Sequence, residues 1–210
     1  MKQIKIRRPI LNEEQKEAYR SLRARVSTGQ NDKKVIAVIA CGKNAEKSNI
    51  SLNLAISLAD VGRQVLFIEA DQQNPVLAEL TEYADRKAGF SGLLSGKSNI
   101  NDVICSTDIP GLCVLYGGKR LDNMPELVEG EYFGKILNVV KSVYHFVVID
   151  TPAPDQSLEG TSIARRCDEV LLVLESGKVR SEYAQKMKYQ IEKCGCKVAG
   201  VILNNSSMRR

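Results

Sequence analysis

The chain has 210 residues, of which 43% are hydrophobic and 26% charged, and its formal net charge is +5. This length suits one α/β domain or slightly more, and the composition is typical of a soluble globular protein. No apolar run approaches the roughly 20 residues that a membrane span needs, and no signal-peptide core follows the basic N-terminus. We therefore expect a cytoplasmic protein.

The positive charge is concentrated at the N-terminus. Residues 1–30 contain eight Lys or Arg and three Glu, so this segment accounts for the whole excess of five. A basic arm can face nucleic acid, anionic lipid, an acidic partner or only solvent. No aromatic residues are interleaved with a basic patch, so we expect no nucleic-acid partner. We divide the chain into a basic arm with a helix, residues 1–32, and an α/β domain, residues 33–210.

The elements alternate along the chain between helical patterns and apolar strand patterns. The predicted helices are residues 12–26, 47–61, 90–94, 100–105, 125–144 and 181–193, with Gly62 ending the second. The predicted strands are residues 34–40, 64–69, 112–115, 146–150, 169–174 and 197–203. Strands that are apolar throughout and separated by helices favour a mostly parallel sheet with helices on both faces. Ligands of such sheets bind at the carboxyl ends of the strands.

The first strand of the α/β domain leads into a loop that resembles a phosphate-binding loop. Such loops read Gly-x-x-x-x-Gly-Lys-Ser/Thr, and their backbone N–H groups surround phosphates. Lys47 and Ser48 are present, whereas Cys41 and Glu46 stand where the two glycines are expected. Gly42 comes one residue late. The sequence therefore predicts a nucleotide site with substitutions at its centre.

Acidic residues follow two other apolar strands. Glu69 and Asp71 end the strand that begins near residue 64, and Asp150 ends the strand at 146–150. Carboxylates beside a phosphate loop suit Mg²⁺, which takes few direct protein ligands and keeps several waters. Each acid has an alternative interpretation, because acidic residues often end strands and cap helices.

The six cysteines are scattered without the paired spacing of a metal site. Cys194 and Cys196 are separated by one residue, which is too short for a zinc knuckle, and no second pair accompanies them. We interpret all six cysteines as reduced cytosolic thiols.

Taken together, these motifs resemble the cytoplasmic catalytic domain of the bacterial tyrosine kinases that govern capsular and exopolysaccharide synthesis. These kinases are relatives of the septum-positioning and partition ATPases. The matching segments run nearly end to end: residues 17–23, 41–48, 65–75, 89–96, 125–127, 146–152 and 200–204. The resemblance implies a P-loop NTPase-like fold, with ATP and Mg as cofactors, and transfer of phosphate to protein tyrosine.

The resemblance also implies roles for individual residues. The catalytic set is Lys47, Asp71 and Asp150, with the two aspartates serving the metal and the acceptor hydroxyl. Ser48 joins the two aspartates as a metal ligand. The nucleotide contacts implied are Gly42, Lys47, Ser48, Asn49 and, at the base, Asn204.

The departures from the family pattern cluster at this chemistry. Asn44 and Glu46 replace glycines of the loop, Glu69 stands where the family has Asp, and Gln73 replaces a basic residue. Asn tolerates the left-handed conformation, but Glu46 adds a Cβ and a carboxylate beside the phosphates. Like charges about 4 Å apart at an effective dielectric near 20 repel by roughly 4 kcal/mol, or about three decades of affinity. Asn49 replaces a threonine.

Three further residues that match the family lie on the predicted N-terminal helix. Glu17, Arg20 and Arg23 fall within about 120° of helical arc and form one charged stripe. In the family this motif joins subunits into a ring, so the resemblance implies a homo-oligomer. The alternative is a solvated helix with a Glu17–Arg20 pair worth a few tenths of a kcal/mol.

Three functions remain open at this stage. The chain is an active ATP-dependent tyrosine kinase with an unorthodox loop, a pseudokinase-like regulatory module, or a membrane-positioning ATPase. The last is disfavoured because those relatives carry a lysine where Gly42 lies. We expect the family role in capsular or exopolysaccharide synthesis with impaired or absent phosphoryl transfer. We also expect a transmembrane partner that regulates the polysaccharide chain and recruits this protein to the inner face of the membrane.

Overall fold

The computed structural model describes residues 2–28, 34–42, 46–81, 89–153 and 158–204. The strands are β1 Lys2–Ile4, β2 Lys34–Cys41, β3 Val65–Glu69, β4 Ile104–Thr107, β5 Leu112–Leu115, β6 Phe146–Asp150, β7 Glu169–Glu175 and β8 Val198–Asn204. The longer helices are α1 Glu13–Val26, α2 Lys47–Ala59, α7 Glu131–Val143 and α9 Ser181–Lys193. The shorter helices are α3 Leu77–Leu80, α4 Phe90–Leu94, α5 Ile100–Val103, α6 Met124–Glu129 and α8 Glu159–Ala164.

The eight strands form one sheet in the order β1-β4-β5-β3-β6-β2-β7-β8. All neighbouring strands are parallel except β4 and β5, which are antiparallel. This confirms the mostly parallel α/β sheet that the sequence predicted.

The three central strands bring the predicted site together. In the register of β3, β6 and β2, Glu69 lies opposite Asp150, and Asp150 lies opposite Val38. Because the three strands are parallel, their carboxyl ends meet at one edge of the sheet. The acidic strand ends and the loop after β2 therefore share that edge.

Helices cover both faces of the sheet, as predicted. On one face, α2 contributes Leu52, Leu54 and Leu58, whose side chains are fully buried. On the opposite face, Phe90 and Phe133 pack edge to face with ring centroids 5.6 Å apart. Burial on both sides explains why the central strands β2, β3, β6 and β7 are apolar almost throughout rather than alternating.

The N-terminal residues extend the sheet. Lys2–Ile4 pairs with β4, and the side chains of Ile4 and Ile6 are buried. α1 begins after Asn12, whose side chain and that of Gln15 form a reciprocal capping box. The sequence analysis did not predict β1, and the proposed domain boundary at residue 33 falls outside the described residues and stays a prediction.

Two predicted helices were wrong in their extent. The helix predicted at 100–105 ends at Val103, because Ile104 and the next residues pair with β5 and form β4. The helix predicted at 125–144 is two helices, because Gly130 adopts an extended conformation between them. The short helices α3 and α8 were not predicted.

Candidate functional site

A cavity of about 720 Å³ lies at the carboxyl ends of β2 and β3. Its wall comes mainly from the loop after β2, the first turn of α2 and the segment after β3. Five of the residues predicted from the sequence line it: Gly42, Lys47, Ser48, Asn49 and Asp71. The structure thus brings together most of the predicted nucleotide and metal residues.

Lys47, the first residue of α2, is held by two carboxylates. Its side chain is 6% exposed, and its Nζ lies 2.5 Å from Oδ1 of Asp150 and 3.2 Å from Oδ2 of Asp71. Nζ also donates to Oγ of Ser48 at 3.3 Å. The lysine expected to contact phosphate therefore neutralises the two aspartates expected to serve the metal.

Asp150 is fully buried behind Lys47. Its Oδ1 also accepts a hydrogen bond from Ser51 Oγ at 3.1 Å. Its Oδ2 is buried and has no hydrogen-bond partner among the residues that the structure describes. Burial raises the pKa of Asp150, and the nearby Lys47 ammonium opposes that effect.

Asp71 is oriented by the turn that follows it. Its Oδ1 accepts from the backbone N–H groups of Gln73, at 3.0 Å, and Asn74, at 3.2 Å. Such a side-chain-to-backbone turn fixes the carboxylate. Its Oδ2 is therefore aimed at Lys47 on the cavity wall.

Glu69 has a different role from Asp71, although the sequence grouped both as carboxylates at the end of one strand, beside the phosphate loop. Its Oε1 accepts from the backbone N–H of Leu77 at 2.8 Å, and its Oε2 accepts from that of Gly117 at 3.3 Å. Burial raises its pKa from 4.5 to about 7. Glu69 thus holds α3 and the loop after β5 in place, which its position in the sequence did not indicate.

Glu46 precedes α2 in the left-handed conformation, with φ 49° and ψ 26°. Among the described residues it is the only non-glycine with positive φ, and this conformation explains why the motif normally has glycine there. Its Oε2 accepts a hydrogen bond from Nδ2 of Asn204 at 3.3 Å. The side chain predicted to repel phosphate therefore contacts the residue predicted to contact the base.

Gly42, which lines the cavity, also has a conformation that favours glycine. Its φ is +94°, and a Cβ there would lie 3.4 Å from Cγ2 of Val179. The segment after β7 therefore packs closely on the phosphate loop. The substituted Asn44 lies outside the described residues.

The cavity wall carries more negative than positive charge. Among the described residues, those that line it and are ionisable are four acids and two lysines, a formal balance of −2: Glu46, Asp71, Glu79, Glu175, Lys47 and Lys178. Lys178 pairs with Glu175 at 2.7 Å, and Lys47 is already paired. Sequence reasoning missed Glu175, although it ends the strand next to β2 and so had to reach this edge.

The carboxylate oxygen atoms of Asp71, on the cavity wall, and of Asp150, behind Lys47, are of the kind that a magnesium ion takes. Mg²⁺ is usually held by one or two carboxylates with several waters, and the buried Asp150 Oδ2 is an oxygen with no partner among the described residues. In the described part of the chain, no group of three or more His, Cys, Asp and Glu side chains forms a metal cluster. Carboxylates and a hydroxyl are the oxygen donors that a hydrated Mg²⁺ takes.

The predicted interface residues lie on α1. Glu17 and Arg20 are exposed and form an ion pair at 3.1 Å. Arg23 is partly buried, and its Nη1 donates to the carbonyl oxygen and Oγ of Ser57 on α2, at 3.0 and 3.1 Å. The stripe is therefore exposed at one end and fixed to α2 at the other.

Comparison with known sequences gives the family. The AAA domain family matches residues 33–198. The chain is 32% identical over 191 residues to tyrosine-protein kinase CpsD of Streptococcus agalactiae serotype Ia, covering 91% of this chain and 82% of that protein. It is 29% identical over 190 residues to the putative tyrosine-protein kinase CapB of Staphylococcus aureus, covering 90% and 83% of the two chains.

Solved structures agree with this result. The chimerical protein CapA2B2 matches with a TM-score of 0.84 at 27% identity, covering 97% of this chain and 93% of that one. The septum site-determining protein MinD of Pyrococcus horikoshii, complexed with Mg-ADP, matches with a TM-score of 0.66 at 21% identity, covering 83% and 72%. The second likeness concerns the fold alone. The chain therefore belongs to the AAA domain family and to the bacterial tyrosine-protein kinases, as its motifs indicated.

Proposed function

We propose that this chain is a tyrosine-kinase-like P-loop protein of capsular or exopolysaccharide synthesis whose ATP-dependent phosphoryl transfer is impaired or absent. The family and the retained fold support the first part. The observation that carries the second is the ion pairing of Lys47 with Asp71 and Asp150, next to a glutamate in the loop. A nucleotide phosphate has to compete with two carboxylates for that one ammonium group.

The negative charge of the cavity wall also disfavours the binding of a nucleotide phosphate. A site for a polyphosphate normally presents excess positive charge and backbone N–H groups. Here the ionisable wall residues that the structure describes sum to −2, and Gln73 supplies no charge where the family has a basic residue. Glu46 adds a carboxylate directly before the helix N-terminus, where the helix dipole would otherwise favour an anion.

A bound Mg²⁺ would reduce the repulsion between the acidic cavity wall and a nucleotide phosphate. Ser48, Asp71 and Asp150 are the residues that would hold it, and the ion would neutralise phosphate charge. Asp71 is the carboxylate that an acceptor hydroxyl could reach, because it lines the cavity while Asp150 is buried behind Lys47. In this proposal Asp71 accepts the hydroxyl proton and Asp150 fixes the position of Lys47.

Calorimetry with Mg-ATP and Mg-ADP tests the proposal directly. We expect dissociation constants in the high micromolar range or no measurable heat. The matched variant is Asn44→Gly combined with Glu46→Gly, which restores the loop glycines and should bind nucleotide more tightly. Saturation of the unmodified protein at low micromolar nucleotide would contradict impaired binding.

An active kinase remains the second candidate, because Lys47, Ser48, Asp71 and Asp150 are all present and adjacent. A regulatory module without catalysis is the third, because the paired carboxylates need no ligand to be neutralised. Incubation with labelled ATP and tyrosine-containing acceptor proteins separates them. Label on tyrosine that disappears in Asp71→Asn supports the active kinase, and absence of label supports the regulatory module.

The proposed partner is a transmembrane protein that regulates the polysaccharide chain and recruits this protein to the inner face of the membrane. In the described ranges, no helix has the length and apolarity to cross a bilayer. Membrane association would therefore come through a partner, aided by the basic N-terminal segment. Fractionation of cells with and without neighbouring membrane proteins tests this, and a distribution that does not respond to them argues against recruitment.

Self-association through α1 completes the proposal. Glu17 and Arg20 are exposed and already aligned on one helix face. Assembly through them needs no nucleotide, because the stripe lies on a helix outside the cavity wall. Such an oligomer would persist in a protein that has lost catalysis.

A further inference from the structure

A second cavity, of about 280 Å³, lies between α1, α2 and the segment before α1. We call it the α1–α2 cavity. Four cationic side chains and one carboxylate line it: Arg8, Lys16, Arg20, Arg23 and Asp60. The formal balance of these described lining residues is +3, and Glu13 and Glu17, which are not among them, pair with Lys16 and Arg20.

Most of the cations are held only by exposed ion pairs. Arg8 pairs with Asp60 at 3.0 Å, and the two side chains are 51% and 43% exposed. Lys16 and Arg20 pair with glutamates three residues earlier on the same helix. Exposed pairs of this kind contribute roughly 0–1 kcal/mol, so an incoming anion can replace them at small cost.

Arg23 is the fixed member of the set. Its Nη1 donates twice to Ser57, which orients the guanidinium on α2. The hydrogen bonds through Nη1 hold the plane of the guanidinium beside the cavity, which Arg23 lines. Guanidinium forks match the oxygen atoms of phosphate in two parallel hydrogen bonds.

The other walls of the cavity are apolar or aromatic. Leu11 and Ile56 line it, together with the ring of Tyr19. Burial raises the pKa of Tyr19, so its ring stays neutral at physiological pH. A ligand that suits these walls and the cations has a dianionic phosphate at one end and a flat apolar group at the other.

We propose that the α1–α2 cavity binds an aryl phosphate, such as the side chain of phosphotyrosine. The cations hold the phosphate, and the Tyr19 and Ile56 side chains contact the ring. The volume of about 280 Å³ leaves room for one ring with its phosphate but not for a nucleotide triphosphate.

This site is separate from the candidate nucleotide site. Ser57 and Lys47 are ten residues apart on α2, so about 15 Å of helix lies between them. The inference rests on the α1–α2 cavity alone and does not require phosphoryl transfer by this chain. Its failure can therefore be distinguished from failure of the proposed function.

The test is a titration of the whole ¹⁵N-labelled chain with phenyl phosphate, at a concentration where light scattering shows one species. We expect amide shifts at residues 16–23 and 53–60, with millimolar or tighter affinity. Glycerol phosphate lacks the ring and phenylacetate lacks the second charge, so each should bind at least threefold more weakly. Equal binding of glycerol phosphate would overturn the aryl assignment in favour of a general phosphate or headgroup site.

Two variants complete the test. Arg8→Gln combined with Arg20→Gln removes two exposed cations with little effect on folding, and should weaken phenyl phosphate at least tenfold. Arg25→Gln removes an exposed arginine that does not line the cavity, and should leave binding unchanged. Unchanged binding in the double variant, or shifts confined to residues 42–50, would overturn the proposal.

Discussion

Nζ of Lys47 lies 2.5 Å from Oδ1 of Asp150, and the two side chains are 6% and 0% exposed. One comes from the first turn of α2 and the other from the end of β6, 103 residues apart along the chain. The pair therefore joins the helix that begins at the phosphate loop to the centre of the sheet. It also means that the positive charge of Lys47 is already balanced within the protein.

The first prediction concerns the stability of this pair. Removing one partner leaves a buried charge uncompensated, which typically costs about 3–5 kcal/mol. Lys47→Met leaves Asp71 and Asp150 without a counter-charge and should lower the free energy of unfolding by about that amount, as measured by urea denaturation. Asp150→Asn leaves Lys47 paired with Asp71 and should cost less, and the double variant should lose less than the sum, because only Asp71 then lacks its partner. Additive losses would contradict a direct interaction.

The second prediction concerns Glu46. Glu46→Gly should raise the free energy of unfolding by about 1 kcal/mol, because glycine adopts the left-handed conformation without the penalty of a Cβ. The same change should tighten Mg-ATP binding, by up to about three decades if the carboxylate faces the phosphates. Denaturation and calorimetry on one preparation measure both effects.

Glu46→Gln is the matched control, since it removes the charge and keeps the Cβ. It should improve nucleotide affinity without improving stability. If it matches Glu46→Gly in stability, backbone conformation is not the cause. If neither variant binds nucleotide better, the charge of Glu46 is not what weakens the site.

The third prediction concerns pH. The pKa of Glu69 is raised from 4.5 to about 7 in the folded chain, so folding favours its neutral form. Its contribution to stability is therefore fully present below pH 4.5 and is lost as the pH rises through 7. The loss should reach about 3 kcal/mol. Glu69→Gln should remove this dependence, so the difference in unfolding free energy between the two proteins should change between pH 4.5 and 7.

A pH-independent difference between Glu69→Gln and the unmodified protein would show that Glu69 is charged in the folded chain throughout this range. Glu79→Gln is a suitable control, because Glu79 is exposed and lies on the neighbouring helix α3. It should leave the pH dependence unchanged.

The fourth prediction concerns self-association. Reversing Arg20 and Arg23 to Glu should weaken assembly roughly tenfold or more, because like charges across an interface cost several kcal/mol. Assembly should also weaken as salt rises and should not depend on ATP. Static light scattering at matched concentrations, with and without ATP, measures all three effects.

Because Arg23 also bonds to Ser57, its reversal can affect folding. Arg20→Glu alone is therefore the cleaner variant, with Arg25→Glu as a charge-matched control off the stripe. A monomer at every concentration, or equal effects of the two single variants, would show that the stripe is only solvated surface.

Much of the fold followed from local patterns. Continuous apolar runs predicted the strands β2, β3, β5, β6, β7 and β8, because a parallel sheet buried on both faces needs such runs. The phosphate-loop pattern and the acid after β6 predicted that Lys47 and Asp150 would meet at one edge. The strands β1 and β4 were not predicted: β1 is a three-residue edge strand whose partner β4 lies far along the chain, and β4 falls in a segment that was interpreted as the end of a helix.

The different roles of Glu69 and Asp71 could not be predicted from local sequence patterns. Glu69 is the last residue of β3 and Asp71 comes two residues later. Nothing in this spacing distinguishes the roles of the two acids. The structure does so, because backbone N–H groups from α3 and from the loop after β5 approach Glu69, while Asp71 faces Lys47. Those groups arrive from 8 and 48 residues away, so no local pattern contains them.

The sequence by itself determined the family, the parallel α/β sheet and the edge at which the site lies, since each depends on motif spacing and hydrophobic periodicity. Only the tertiary structure decided which charges neutralise one another. In the folded chain Lys47 forms ion pairs with two aspartates, and Glu46 accepts a hydrogen bond from Asn204. Arg8 lines a separate basic cavity together with residues of α1. Charge balance depends on distance and burial in three dimensions, and residues far apart along the chain set both.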